Sequence, residues 1–274
     1  MDTEDLTGRT AVVTGAASGI GRAIALLAAE RGAGLALCDI DEAGLAAVAG
    51  EVRRLGRDVL TEPVDVADRD QMRAFAAKVH DGPGPADLLV NNAGVGLVAG
   101  FLETTLEDWD WIVGTNLLGV VHGCHFFVPQ MVERGSGHVV NLSSLAGYHA
   151  NPALAAYSAT KFAVLGLSEA LHDELVGTGV GVTAVCPGIV NTPITRNARA
   201  RGAADDPAVR ERYVRLYQRR GYGPDKVARN VLKAVARDRT VAPVSPESWV
   251  AYGVKRTSPR LASWLARQLA STAR

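Results

Sequence analysis

Residues Thr14 to Gly21 read TGAASGIG, three glycines within seven positions, directly behind the apolar run Ala11-Val12-Val13. Glycine weakens the interior of either regular element, so this cluster has to end a strand in a tight turn. Elsewhere β-branched apolar runs alternate with longer Ala- and Leu-rich stretches of helical period. Strands are expected at Thr10–Thr14, Gly34–Asp39, Val59–Val64, Asp87–Asn91, His138–Leu142, Gly181–Cys186 and Thr240–Val244. Helical segments are expected at Arg22–Arg31, Asp68–His80, Leu106–Arg134 and Ala155–Val176, among others. Such alternation builds an α/β fold, a Rossmann-type, doubly wound, parallel seven-stranded sheet with helices on both faces.

In that architecture ligands sit beyond the carboxyl ends of the strands. The glycine turn lies there, and a helix begins near Gly19. Backbone N–H groups in the turn can approach a pyrophosphate, and the helix N-terminus adds partial positive charge. Gly15, Ser18, Gly19, Ile20 and Gly21 are therefore expected to cradle a dinucleotide. The segment LALCDID ends the second strand at Asp39, about 20 residues past the glycines. A carboxylate there accepts hydrogen bonds from ribose hydroxyls and repels a 2′-phosphate, which favours NAD over NADP. Arg22 is the nearby cation that argues the other way, unless it points elsewhere on its helix.

Composition narrows the partners. Acidic and basic residues balance, 29 against 29, so nothing calls for nucleic acid. The cysteines Cys38, Cys124 and Cys186 have no ligand-like spacing, and their odd number suggests a reduced, cytoplasmic protein. The acidic, polar start MDTEDLTGRT is unlike a secretory signal. No run of unbroken apolar residues reaches the roughly 18 needed to span a bilayer. The histidines are scattered and no metal site is expected; His122 and His125, on a helix, read as packing or surface residues.

The spacing of Gly15, Gly19 and Gly21 resembles the T-G-x-x-x-G-x-G signature of the short-chain dehydrogenase/reductases. Further segments resemble that family in the expected order: NNAG at Asn91–Gly94, Thr115-Asn116, SSLAGYHANPALAAYSATK with Ser144, Tyr157 and Lys161, and CPGIVNTP from Cys186. Thr160 departs from the commoner serine, and Ser143 duplicates the serine beside Ser144. The resemblance covers roughly residues 6 to 245. It implies an NAD(P)-dependent oxidoreductase acting on a secondary alcohol/ketone pair, usually as a homodimer or homotetramer, with Asp39 pointing to NAD.

Tyr157 and Lys161 are four apart on an expected helix, hence on one face. A neighbouring ammonium favours the phenolate, which suits a general base for an alcohol or a general acid for a ketone. Lysine is scarce, five against 24 arginines, so its appearance here carries weight. Ser144 follows the fifth strand, where a hydroxyl can hold a substrate oxygen; Ser143 is its rival. The resemblance implies that Asn116 holds a water relaying protons to Lys161. It also implies that Asp65 and Val66 flank the adenine and that Asn91, Ala93 and Gly94 support the cofactor and the central strands. Pro187, Gly188, Ile189 and Thr192 are to touch the nicotinamide end, with Lys161 on its ribose. His149, between Ser144 and Tyr157, is a candidate for the substrate pocket.

The substrate end is less specific. Residues 1–245 are expected to form one domain, with a lid at 193–222. In the lid, Val209, Tyr213, Leu216 and Tyr217 form an apolar helical stripe, with Arg210, Arg212, Arg215, Arg219 and Arg220 around it. The stripe suits a hydrophobic substrate. The arginines suit either solvent or an anionic carrier, which keeps an NADPH-dependent 3-oxoacyl-carrier reductase as the alternative. A non-catalytic NAD-sensing module is a further alternative. The extension 246–274 contains a second amphipathic segment, with Leu261, Trp264, Leu265 and Leu269 on one face after Ser258-Pro259. Packing on the protein, peripheral membrane contact and a frayed end are its competing readings.

Overall fold

The computed structural model describes residues 1–219, 222–258, 260 and 264, the side chains of 213, 216, 217 and 219 excepted. The chain begins β1 (Thr10–Thr14), α1 (Gly19–Glu30), β2 (Gly34–Asp39), α2 (Glu42–Arg54), β3 (Val59–Pro63), α3 (Arg69–Asp81), β4 (Leu88–Asn91) and β5 (Leu97–Val98). It continues α4 (Leu106–Val113), α5 (Gly119–Arg134), β6 (Gly137–Leu142), α6 (Ala155–Glu174), β7 (Val180–Cys186) and α7 (Pro193–Asn197). Last come β8 (Arg199–Ala200), α8 (Pro207–Arg219), α9 (Pro224–Ala236), β9 (Val241–Pro243) and α10 (Pro246–Thr257).

Seven strands form one parallel sheet in the order β3-β2-β1-β4-β6-β7-β9. The alternation of side chains along each strand divides the core in two. Val13, Leu37 and Val90 face α1, α2 and α9, while Val12, Cys38 and Leu89 face α3, α5 and α6. The sheet is buried on both faces, so its strands are almost continuously apolar, which made them legible. Every expected strand lies within one residue of its observed bounds.

The expected helix Leu106–Arg134 is continuous but changes pitch. Residues Gly114–Leu118 form a π turn between α4 and α5, with Asn116 fully buried in it. By length and mean hydropathy, 1.4, this stretch could cross a membrane, although polar residues interrupt its apolar letters. Here α5 packs on α3, β4 and β6 as a core helix. His122 on this helix has a partner inside the fold, its ring meeting the Val66 carbonyl at 2.9 Å.

A two-stranded sheet outside the main one was not anticipated. β5 pairs in parallel with β8, Leu97 opposite Arg199 and Val98 opposite Ala200. Strands of two residues leave no periodic trace in a sequence. The pairing is reinforced by Asp108 on α4, a buried carboxylate that takes 2.7 Å bonds from both Nε and Nη2 of Arg201. Arg199 adds a 3.5 Å contact and lies 3.7 Å above the Trp111 ring. The segment expected to form a lid is thus tied down in its first third, at Arg199 and Arg201.

Arg201→Ala would leave the Asp108 carboxylate buried and poorly paired. Buried pairs cost several kcal/mol to break, and the half-exposed guanidinium lowers that to about 2 kcal/mol here. Urea unfolding should show a loss of that size, and an unchanged midpoint would mean that the pair does not anchor the segment.

Candidate active site

Between β1 and β4 the chain turns to opposite faces of the sheet, which opens a crevice at the carboxyl edge. A cleft of about 1560 Å³ begins there and runs across the ends of β1, β2, β4, β6 and β7 to α10. It exceeds the roughly 300–1,000 Å³ of an ordinary small-ligand pocket, so there is room for a dinucleotide and a second molecule. Every site residue selected from the sequence lines it except Gly21, Asn91 and Asn116.

The glycine loop is shaped for close approach. Gly15 and Gly19 have φ of 64° and 56°, in the left-handed region. A Cβ at Gly15 would stand 2.7 Å from the Ala93 Cα. Gly21 lies behind the loop, where a Cβ would collide with the Gly15 carbonyl oxygen and the Asn92 amide. α1 starts with no side-chain cap and no acidic residue in its first turn. Its first N–H groups and its positive end therefore face the cleft uncompensated.

Asn92, overlooked in the sequence in favour of its neighbour, holds the loop in place. Its Nδ2 donates to the carbonyls of Thr14 and Gly15, both at 2.9 Å, while the Thr14 hydroxyl accepts from the amides of Asn92 and Ala93 at 3.0 Å. Asn91 points to the other face of the sheet. It donates to Asn141 Oδ1 at 2.9 Å and to Cys124 Sγ at 3.5 Å, away from the cleft. Successive strand residues face opposite sides, so only one asparagine of the pair can reach the crevice.

Asp39 ends β2 at the rim. Its carboxylate accepts from the Ala17 amide at 2.9 Å and the Asp41 amide at 3.0 Å, which leaves acceptor capacity for hydroxyl donors. Arg22 points away, paired with Glu51 on α2 at 2.6 Å. Asp65 accepts from the Ala67 amide at 2.9 Å, and this turn carries Val66 into the cleft wall.

At the centre stand Ser144, Tyr157 and Lys161. Lys161 Nζ lies 5.8 Å from the Tyr157 ring centroid and donates to the Leu142 carbonyl at 2.8 Å. Burial pushes the ammonium down to about 8, so the cation still predominates near pH 7. The two adjacent serines differ in employment. The Ser143 hydroxyl donates to the Lys161 carbonyl at 2.8 Å, whereas Ser144 Oγ accepts the Ala146 amide at 3.1 Å on the cleft wall. His149 lines the cleft, and burial, with the Lys255 charge second, lowers its pKa.

The Asn116 side chain grips Val95: Oδ1 accepts from its amide at 2.7 Å and Nδ2 donates to its carbonyl at 3.0 Å. The side chain is thus a splint between the π turn and the segment after β4.

Around the lid, Arg210 donates to the Ala198 carbonyl and pairs with Asp205 at 3.2 Å, and Arg215 pairs with Glu211 at 3.1 Å. The stripe members Tyr213, Leu216 and Tyr217, with Arg219, lie outside the described side chains, and Arg220 outside the described residues. Of the tail, Leu261, Leu265 and Leu269 also lie outside the described residues, while Trp264 lines the cleft.

The short chain dehydrogenase family matches this chain over residues 9–202. "Probable oxidoreductase EphD" of Mycobacterium tuberculosis is 40% identical over 253 residues, covering 90% of this chain and 43% of EphD. The chain therefore spans less than half of that relative. The 3-oxoacyl-[acyl-carrier-protein] reductase FabG of Thermotoga maritima is 38% identical over 190 residues, 69% of this chain and 77% of FabG. A short chain dehydrogenase/reductase from Burkholderia phymatum, solved in complex with NAD, superposes with a TM-score of 0.86 at 33% identity, covering 95% of this chain and 96% of its own.

Gly21→Ala forces a methyl group into the Gly15 carbonyl and the Asn92 amide. A stability loss of about 2 kcal/mol is expected, as for overpacked cores. Dinucleotide binding should weaken at least tenfold by calorimetry. Wild-type melting and affinity together would show that the loop has slack.

Proposed function

The chain belongs to the short-chain dehydrogenase/reductase family, and from that premise we propose that it transfers a hydride between NAD(H) and a hydrophobic secondary alcohol/ketone pair. The observation that carries this reading is the meeting of Ser144, Tyr157 and Lys161 in the same cleft as the uncapped N-terminus of α1. Gly15, Ser18, Gly19 and Ile20 would hold the pyrophosphate, Asp39 the adenosine ribose, Asp65 and Val66 the adenine. Ala93, Gly94, Pro187, Gly188, Ile189, Thr192 and Lys161 would hold the nicotinamide riboside. Bound there, the nicotinamide supplies a two-electron acceptor or donor.

The protein's own part is proton transfer and charge control. Ser144 holds the substrate oxygen against Tyr157. In oxidation the Tyr157 oxygen takes the hydroxyl proton, and in reduction it returns a proton to the carbonyl oxygen. The Lys161 ammonium stabilises negative charge on that phenolic oxygen, strongly so because it is buried. Ser143 and Asn116 are positioning residues, the first holding the backbone of α6 at Lys161 and the second holding Val95.

Three observations favour NAD over NADP. Asp39 stands where a 2′-phosphate would go, Arg22 is already paired, and no arginine lines the cleft among the described residues. The NAD-bound neighbour is consistent with this. The alternative, an NADPH-dependent 3-oxoacyl-carrier reductase, is favoured by the similarity to FabG. Against it, Arg210 and Arg215 near the lid are already paired with carboxylates. We further infer a homo-oligomer, because Leu118 in the π turn, Val121 on α5 and Phe162 on α6 are exposed apolar residues. The free, buried state of all three cysteines suits a cytoplasmic location.

Tyr157→Phe keeps the ring and removes the acid–base oxygen. Turnover should fall at least about 100-fold, the low end for general acid–base catalysis, with NADH still bound. Near-normal turnover would sink the mechanism.

Asp39→Ala should narrow the preference for NAD over NADP, mainly by weakening NAD. Side-by-side titrations of both cofactors decide this, and a wild-type preference for NADP would reverse the assignment.

A further inference from the structure

Beyond β9 the chain does not leave the site. α10 turns one face into the cleft: Glu247, Val250, Ala251 and Val254, at spacings i, i+3, i+4 and i+7, all line it. Its first turn is bolted to the loop after β7. Ser248 Oγ donates to the Cys186 carbonyl at 2.6 Å, and Glu247 Oε1 accepts the Ile189 amide at 2.9 Å. Gly188 lies so near that a Cβ there would strike Ser245 and Glu247. A second tie reaches the turn after Ser144, where the Tyr148 hydroxyl donates to the Ser248 carbonyl at 2.8 Å. Ala251 packs with Leu145 and Tyr148 in one apolar cluster. The face of α10 is thereby held in fixed relation to Ser144.

The composition of that end of the cleft is one-sided. The Tyr157 ring packs in a cluster with Val95, Leu97 and Trp111. On the α10 side, Val250 is 66% exposed, an apolar side chain with little protein against it. Among the described residues lining the whole cleft, Lys161 is the only lysine or arginine, while Glu247 and Asp110 are carboxylates at this end. Lys255, whose charge reaches His149, does not line it. A carboxylate or phosphate arriving here would be desolvated beside Glu247, with no lysine or arginine other than Lys161 among the described residues lining the cleft, and an alkyl group would cover exposed valine.

We propose that the Glu247–Val250–Ala251–Val254 face of α10 is the substrate-selecting wall of this enzyme, which admits uncharged, apolar secondary alcohols or ketones and turns away anionic ones. The assignment deepens the hydride-transfer reading and rests on it for turnover, but not for binding.

The test uses the full chain and 2-alkanones from 2-pentanone to 2-undecanone, with 10-oxoundecanoate as the anionic counterpart. Binding is measured by calorimetry in the presence of NAD, where no hydride is available and nothing turns over. Affinity should rise about fourfold per methylene, the gain for burying a CH₂ group. The oxo acid should bind at least tenfold more weakly than 2-undecanone. Val250→Ser with Val254→Ser should flatten the chain-length dependence, and Val254→Arg should raise oxo-acid affinity at least tenfold. Because Val250 and Val254 face the cleft rather than the core, NAD affinity and melting should hold in all variants. Equal binding of acid and ketone, or a chain-length slope that survives both serine substitutions, would overturn the proposal. Absence of NADH oxidation with every ketone, alongside an intact slope, would remove the hydride-transfer reading and leave the wall standing.

Discussion

The contact on which the rest depends is the bridge that Asn92 makes across the gap between β1 and β4. Two neighbouring parallel strands here send their connections to opposite faces, so their ends would otherwise splay. One carboxamide and one threonine hydroxyl bind four backbone groups across the gap at 2.9–3.0 Å. Those bonds are partly shielded from water, so each is worth somewhat more than at the surface. They force the glycine loop against β4, which is why Gly15 and Gly21 have no space for a side chain. The loop in turn aims the uncapped start of α1 into the cleft.

A second polar network seats α6, which carries Tyr157 and Lys161. Asn141 on β6 accepts from Asn91 on β4 and donates to Ser168 on α6 at 3.0 Å, with Cys124 of α5 alongside. Ser143, in the loop after β6, donates to the carbonyl of Lys161 on α6. Buried polar groups tolerate few alternative pairings, so these bonds choose the register of α6 on the sheet. Tyr157 and Lys161 then project where β6 ends and Ser144 begins its turn. Charge is distributed to match: carboxylates at Asp39 and Glu247 stand toward the two ends of the cleft, and a buried ammonium at its centre.

Much of this was legible in the sequence because it rests on local pattern. The strands of the main sheet are short apolar runs bounded by turns, and their limits agree with the structure within one residue. The glycine spacing, Asp39, and the pair Tyr157 and Lys161 on one helix face also follow from periodicity and order along the chain. Other features needed partners distant in sequence. Nothing local distinguishes Asn91 from Asn92; only the pleat decides which faces the crevice. Ser143 and Ser144 are told apart by their partners, one meeting the carbonyl of residue 161 and the other the amide of residue 146. The α10 face has a helical spacing that could have been read, but its significance depends on β9 ending beside β7.

Sequence by itself determined the alternation of elements, the class of sheet, the glycine turn and the chemistry available at its edge, because each depends on residues within a turn or two of one another. Tertiary structure alone decided which side chains share the cleft, that Asn116 grips Val95, that Arg22 is spent on Glu51, and that α10 returns to wall the site. Those outcomes depend on pairings across tens to more than a hundred residues. Such pairings are selected by burial and by the need to satisfy every buried polar group at once, and no local pattern encodes them.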